Sequence, residues 1–404
     1  MSQTSQSPIL VAGSGPAGLV AALALAADGW PVTLVGPRAA PDDGRTTALM
    51  RPALDVLEAF GVVARLGGAA APLEAMRIVD ATGRLLRGPT VTFHAREIGE
   101  DLFGLNIPNR ALAEALRAAV AEAPLIEWRD TTVAAWRPEA GHVAALLADG
   151  DTVEAQLAVA ADGRASPARR AAGIECRTRS YPQAALVLNF AHTREHGGVS
   201  TEFHTATGPC TQVPLPGLRS SLVWVVEPEM AETLRLLDDD ALSLRVEQRL
   251  DSILGKVTVE GPRQIYPLSA VTPERVAARR IALVGEAAHV FPPIGAQGLN
   301  LGIRDVEDLV GIAARHRDDP GAAGALDAYD RRRRPDILAR STAVNLLNMS
   351  LLSNLLPAQL VRGAGLSLLG RVAPLRGFVM REGMRPGSGL SALLPRSREQ
   401  VGRQ

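Results

Sequence analysis

Residues 285–305, GEAAHVFPPIGAQGLNLGIRD, decide how this chain is read. They follow an apolar run at 281–284 that has the composition of a buried strand, and they lead into apolar periodicity through 299–314 that predicts a helix. Between the two lie Pro292, Pro293, Gly295 and Gly298. Proline fixes φ and glycine has no Cβ, so the loop is stiff and lets backbone approach a ligand. The N–H groups of Gln297, Gly298, Leu299 and Asn300 have no partner within the helix and stand at its positive end. The stretch predicts a cradle for an anionic, planar cofactor. An ordinary strand-loop-helix connection would share the local pattern, so the rest of the chain must decide.

Near the N-terminus the same elements recur in tighter form. Residues 8–12 read as a strand, GSGPAG at 13–18 as a glycine turn, 19–27 as a helix and 32–35 as a second strand. In this context Gly13 permits the turn, Gly15 lets the backbone meet a pyrophosphate, and Gly18 lets the helix lie close to the sheet. An acidic residue is expected at the end of the second strand to bind a ribose, but Gly36 stands there. Asp42 and Asp43 follow, and a solvated loop is their plainer reading.

Further along, Arg45 introduces an amphipathic helix carrying Leu54, Leu57 and Phe60, and can reach a phosphate or ring carbonyl. Strands at 76–79 and 91–94 interrupt the α/β pattern, a helix at 110–123 restores it, and a hairpin turns through Ala148-Asp149-Gly150. A second Ala-Asp-Gly, at 161–163, ends a strand at 157–160 and precedes a helical SPARRAAG. The first is turn chemistry and the second is a candidate site. Short strands dominate 181–268, and the region past Asp330 is helical, leucine-rich and cationic through Arg362, Arg371, Arg376 and Arg381.

At 404 residues and formal net charge zero, the chain exceeds one ordinary domain and offers no general nucleic-acid surface. Lys256 is its one lysine, which excludes a Schiff-base lysine anywhere else. Cys176 and Cys210 lie far apart without metal-ligand spacing, so no metal site and no disulfide is expected and a reducing cytoplasm fits. The segment MSQTSQSP lacks the basic start of a secretion signal, and no apolar run is long enough to span a bilayer.

Taken in order, GSGPAG, the second Ala-Asp-Gly and GEAAHVFPPIGAQGLNLG resemble the class A flavoprotein aromatic hydroxylases, and among them the UbiH and UbiF type of ubiquinone-biosynthesis hydroxylase. The likeness covers nearly all of residues 8–385. It implies an α/β fold: a Rossmann-like, para-hydroxybenzoate-hydroxylase-like FAD-binding domain from 1–75, 105–180 and 269–335. It also implies an inserted antiparallel-sheet substrate domain at 76–104 and 181–268 and a helical C-terminus at 336–404.

Carried over residue by residue, the resemblance places FAD pyrophosphate on Gly13, Gly15, Pro16, Ala17 and Gly18, with Arg45 and Arg110 toward the flavin side. It puts Asp162 and Gly163 near FAD and the transient path of NADH or NADPH. Glu286 stands where the family usually has Asp, at the ribityl chain. Pro292 and Pro293 would form an apolar wall, and the amides from Gln297 through Gly298 and Leu299 to Asn300 would face the flavin N1–C2=O edge. His289 reads as a structural, hydrogen-bonded histidine. The implied reaction uses O2 and NAD(P)H to hydroxylate an aromatic ring through a C4a-hydroperoxyflavin, with a polyprenylated phenol as substrate. No protein nucleophile is required, and no catalytic residue is assigned.

Tyr181, Phe203, His204, Pro214 and Trp224 can line a ring pocket, although core packing accounts for each equally well. The tail reads as a helical cap on the flavin domain, with peripheral contact on the inner face of a membrane or a biosynthetic complex as a compatible role. Two other functions share these motifs: a flavin-dependent isoprenoid reductase, and a non-catalytic scaffold whose FAD site Gly36 and Glu286 have weakened. Oxygen uptake coupled to NAD(P)H separates the first, and purified protein without flavin colour marks the second.

Overall fold

The computed structural model describes residues 8–39, 43–83, 88–292, 298–352, 364–365 and 367–384. Pro293, Gln297, Asp42 and much of the leucine-rich tail lie outside the described residues. A six-stranded sheet has the order Ala277–Ala278, Ile281–Leu283, Ala158–Ala160, Ile9–Ala12, Val32–Val35 and Ile126–Arg129. All its pairings are parallel except the short one at Ala277–Ala278. Strands buried on both faces read as unbroken apolar runs, as Ile9–Ala12 and Val32–Val35 do.

Ile9, Val11, Val159 and Ala282 face helices Pro16–Ala27, Asn109–Ala121 and Gly298–Arg315, whereas Leu10, Ala158, Ala160 and Leu283 face the opposite side. That opposite side is covered by the antiparallel strands Val133–Pro138, Val143–Leu147 and Thr152–Ala155. Pro16–Ala27, almost entirely alanine and leucine, starts with proline in its first turn, where the missing N–H leaves no bond unmade. The tight approach of small residues on its buried face sets how close it lies to the sheet.

A second, seven-stranded sheet has the order Val257–Pro273, Cys176–His192, Arg219–Val226, Gly208–Leu215, Val199–Thr205, Ala75–Asp80 and Val91–His94. Its two longest members, Cys176–His192 and Val257–Pro273, have 17 residues each and pair over most of their length, with register shifts at 180/184 and 187/189. Both run through the expected boundaries at 180/181 and 268/269. Helices Pro228–Leu236 and Asp239–Arg249 seal one face. Thr46–Met50, Gly104–Pro108 and Ala71–Leu73 form a second three-stranded sheet between the two large ones. Neither Thr46–Met50 nor Gly104–Pro108 is foreshadowed by apolar periodicity.

Candidate functional site

Four loops leave the carboxyl ends of four adjacent parallel strands: Gly13 follows Ala12, Gly36 follows Val35, Asp162 follows Ala160 and Gly285 follows Leu283 by two residues. In open α/β sheets that edge is where ligands bind. Three of these loops carry the three sequence motifs, and the sheet order brings them side by side.

Gly13 takes φ +115°, and a Cβ there would stand 2.2 Å from the Ala161 carbonyl oxygen. Gly18 is packed as closely, its missing Cβ 1.9 Å from the Gly13 carbonyl oxygen. Gly15 differs in kind. It is the N-cap of Pro16–Ala27, no side chain caps the helix, and among the described residues beyond its chain neighbours no atom lies within 4 Å of where its Cβ would be. The free N–H groups of a 12-residue helix thus face open space, which suits an anion. A pyrophosphate fits this cradle.

Gly36 is crowded by the turn itself, because a Cβ would come within 2.7 Å of both the N and the Oγ of Ser14. The Ser14 hydroxyl donates to the Pro37 carbonyl at 2.7 Å. Trp128 Nε1–H donates to the Gly36 carbonyl at 2.9 Å, and the Arg38 guanidinium lies 4.8 Å above the Trp128 ring. The absent ribose carboxylate is therefore not replaced at the same point. Asp43 does not replace it either, being committed to Arg45 and Asn109.

Arg45 makes two bonds of 2.8 Å to Asp43 and lies 4.9 Å over the Tyr266 ring. Its hydrogen bond to Asp43 outweighs burial and raises its pKa, helped by the fields of Asp43, Tyr266 and Glu286. It is a fixed cation near the third motif. Arg110, in the first turn of Asn109–Ala121, is 79% exposed and pairs with Glu114 at 3.0 Å. Asp162 caps the helix Pro167–Ala171: its carboxylate accepts from the Ser166 hydroxyl and from the Ala168 N–H at 3.0 Å. Gly163 has φ +80°.

In the third motif, Gly285 has φ +60°, and a Cβ would stand 2.8 Å from Ala17 Cβ, so the first and third motifs touch through small residues. Glu286 is exposed between buried Gly285 and Ala287, which projects a carboxylate from an otherwise buried turn. Pro292 is buried. Asn300 links the start of Gly298–Arg315 to Thr46–Met50: its Oδ1 accepts from the Met50 N–H and its Nδ2 donates to the Ala48 carbonyl, each at 2.8 Å. Among the described residues beyond its chain neighbours, no atom lies within 4 Å of where a Gly298 Cβ would be, and Leu299 is half-buried.

Beneath this turn lies a buried charge network that sequence reasoning missed apart from its histidine. Asp305, fully buried, accepts from the Gly285 N–H at 3.0 Å, bonds His289 Nε2 at 2.7 Å and accepts from Arg333 Nε at 2.8 Å. Arg333 also reaches Asp308 and Asp336 at 3.1 Å. Burial pushes the Asp305 pKa up, but His289 and Arg333 overcome it and leave the carboxyl below its ordinary range. Arg169 is a second omission. It donates to the Ala287 carbonyl at 2.8 Å and the Arg164 carbonyl at 2.9 Å, clamping the middle motif to the third. The run Arg331 to Arg334 was a visible signal for Arg333, but not for which of the four turns inward.

A family model described as an FAD binding domain matches residues 6–341. Over 387 residues, 93% of this chain and 89% of the relative, the chain is 34% identical to the ubiquinone hydroxylase UbiL of Rhodospirillum rubrum. The chain belongs to this FAD-binding family. It is also 28% identical to the 3-demethoxyubiquinol 3-hydroxylase of Escherichia coli, covering 91% of this chain and 96% of that one. In fold it matches the p-nitrophenol 4-monooxygenase PnpA of Pseudomonas putida with a TM-score of 0.76 at 19% identity, over 95% of this chain and 98% of that structure.

Proposed function

We propose that this family member is an FAD-dependent aromatic monooxygenase that uses NADH or NADPH and O2 to hydroxylate a polyprenylated phenol in ubiquinone biosynthesis. The observation that carries the reading is near full-length likeness to ubiquinone hydroxylases, in a chain whose three glycine motifs converge on one sheet edge. When bound, the flavin supplies the electron transfer and oxygen activation that side chains lack.

The chain's own part is to bind, orient and exclude water. The helix terminus behind Gly13, Gly15, Pro16, Ala17 and Gly18 would hold the pyrophosphate, and Glu286 would accept from ribityl hydroxyls. The N–H groups from Gly298 to Asn300 would favour negative charge on the ring edge. Arg45 would add a cation there, Asp162 and Gly163 would border the donor's path, and Arg110 would act from the cofactor's outer side. The division into a discontinuous flavin domain, a substrate domain at 76–104 and 181–268, and a helical C-terminal region is part of the same proposal.

Peripheral membrane contact is a finer element. Leu346, Met349, Leu368, Val372 and Val379 are exposed on the C-terminal helices, with Arg371 among them, a composition suited to an anionic lipid surface. No helix among the described residues is long and apolar enough to cross a membrane. Co-sedimentation with anionic vesicles, lost at high salt, is the expected result.

The activity is tested by NAD(P)H oxidation and oxygen uptake with a short-chain prenyl phenol. The expected product carries one more oxygen atom. Reduction of a prenyl double bond without oxygen uptake would sink the proposal.

A further inference from the structure

One face of the seven-stranded sheet is sealed by two helices, whereas on the other, among the described residues, Ile78 packs with Met380 and Met384 and Val187 clusters with Val223, Tyr181 and Tyr266. Leu186, Phe190, Phe203, Cys210, Leu222 and Trp224 project to the side covered by Pro228–Leu236 and Asp239–Arg249. Side chains alternate along a strand, so their neighbours point the other way. Strand register places Ile78, Glu202, Thr211, Val223, Val187 and Gln264 in one row across six strands on that second face.

This face looks toward the flavin side. Ser221, two residues from Val223, bonds Thr46 at 2.9 Å, and Tyr266, two from Gln264, lies beneath Arg45. Thr46 opens the strand whose Met50 N–H is held by Asn300. The row is half-buried at every position but Val187, which is buried, and the Glu202 side chain is 17% exposed. A strip with three apolar and three polar side chains that borders a cofactor edge suits a substrate floor.

Glu202 is the one ionisable side chain in the row. Its Oε1 lies 2.8 Å from His204 Nε2, and its Oε2 accepts from the Thr211 hydroxyl at 3.4 Å. A carboxylate offers about four lone-pair sites, so capacity remains. His204 is 3% exposed, and its Nδ1 is buried with no hydrogen-bond partner among the described residues. Other acids near this face are committed: Asp80 accepts from Thr82 and Gly88, and Asp43 holds Arg45. Phe203 and Trp224, expected as pocket candidates, face the sealed core instead. Tyr181 bonds Asn345 at 3.3 Å, and the Pro214 carbonyl accepts from Asn106 at 2.8 Å.

We propose that Glu202 is a catalytic residue that receives the ring hydroxyl of the substrate, with His204 and Thr211 as positioning residues that hold its carboxylate. The inference rests on the reading that the substrate is a phenol. The phenol O–H bond breaks and its proton passes to the Glu202 carboxylate. The electron pair stays on the ring oxygen and enriches the carbon to be oxygenated. This step is acid-base only and needs no oxidant.

The holoenzyme tests it through flavin absorbance changes on titration with a short-chain prenyl phenol and with its methyl ether. Wild type is expected to prefer the phenol at least about tenfold, as a buried acceptor left without its proton donor penalises the ether. Glu202→Gln should lose most of that preference and lower product formed per turnover by about 10²- to 10⁴-fold. FAD content should be unchanged. Glu202→Asp should recover part of the yield. Thr211→Val, a nearly isosteric change, should cost a few-fold in product yield.

The inference is overturned if Glu202→Gln keeps both the preference and the yield, or if it loses FAD and thermal stability as a purely structural residue would. A wild type that prefers the phenol yet oxygenates nothing overturns the functional reading and leaves Glu202 as a substrate-binding residue only.

Discussion

The turn at Gly13 to Gly18 and the turn at Gly285 to His289 both position a helix N-terminus at the same sheet edge, but unlike forces hold them. The first is held by contact alone: Gly18 on the Gly13 carbonyl, and Gly13 on the Ala161 carbonyl. The second is held by charge, with buried Asp305 gathering the Gly285 N–H, His289 and Arg333. Steric fit fails locally when one atom is added. A buried ion network fails as a unit when one partner is removed, because the remaining charges stay out of water.

The largest expected effect breaks the second turn. Asp305→Asn should cost about 3–5 kcal/mol, read from the denaturant midpoint, because Arg333 loses its buried counter-charge. Its pH dependence sharpens the point. The folded pKa of Asp305 is lowered, so its stabilisation is present above the unfolded value of about 3.9 and is lost as pH falls through the lower folded value. The gap between wild type and Asp305→Asn should hold from neutrality to about pH 4 and close below it. A gap that closes already near neutrality would refute the pairing.

Next comes the first turn. Gly18→Ala puts a methyl 1.9 Å from a backbone oxygen that cannot rotate away. A loss of about 1–3 kcal/mol is expected, together with weaker FAD retention. Gly36→Glu would restore the usual ribose acid in sequence yet crowd Ser14. It should cost about 1 kcal/mol and fail to tighten FAD binding in a fluorescence titration. Tighter binding would show that Ser14 moves freely.

The smallest effect on stability should come from Gly15→Asp, since among the described residues beyond its chain neighbours nothing lies within 4 Å of that Cβ. Apoprotein unfolding should stay within about 0.5 kcal/mol of wild type. FAD should nevertheless be lost on purification, as a carboxylate would occupy the pyrophosphate's place. Retained flavin would refute the cofactor assignment.

How much was legible follows from the range of each interaction. The βαβ unit could be read because Gly13, Gly15 and Gly18 are themselves the constraint, acting within six residues. Thr46–Met50 and Gly104–Pro108 were missed because each is short and polar-flanked, and becomes a strand only by pairing with a partner far along the chain. The two 17-residue strands read as shorter pieces because Pro182 and Pro267 interrupt them near a register shift. Nothing local sets Asp305 and Arg333 apart from other polar helix residues, or Glu202 from other polar strand residues.

By itself, then, the sequence determined where backbone must turn tightly or approach a ligand, and in what order, since those demands are steric and local. Only the tertiary structure decided which polar side chains share a buried space. It set Asp305 between His289 and Arg333, and put Glu202 and His204 on the face of the sheet that helices Pro228–Leu236 and Asp239–Arg249 do not cover. Burial and charge pairing depend on strand register and helix packing between residues far apart in the chain, and no local pattern encodes them.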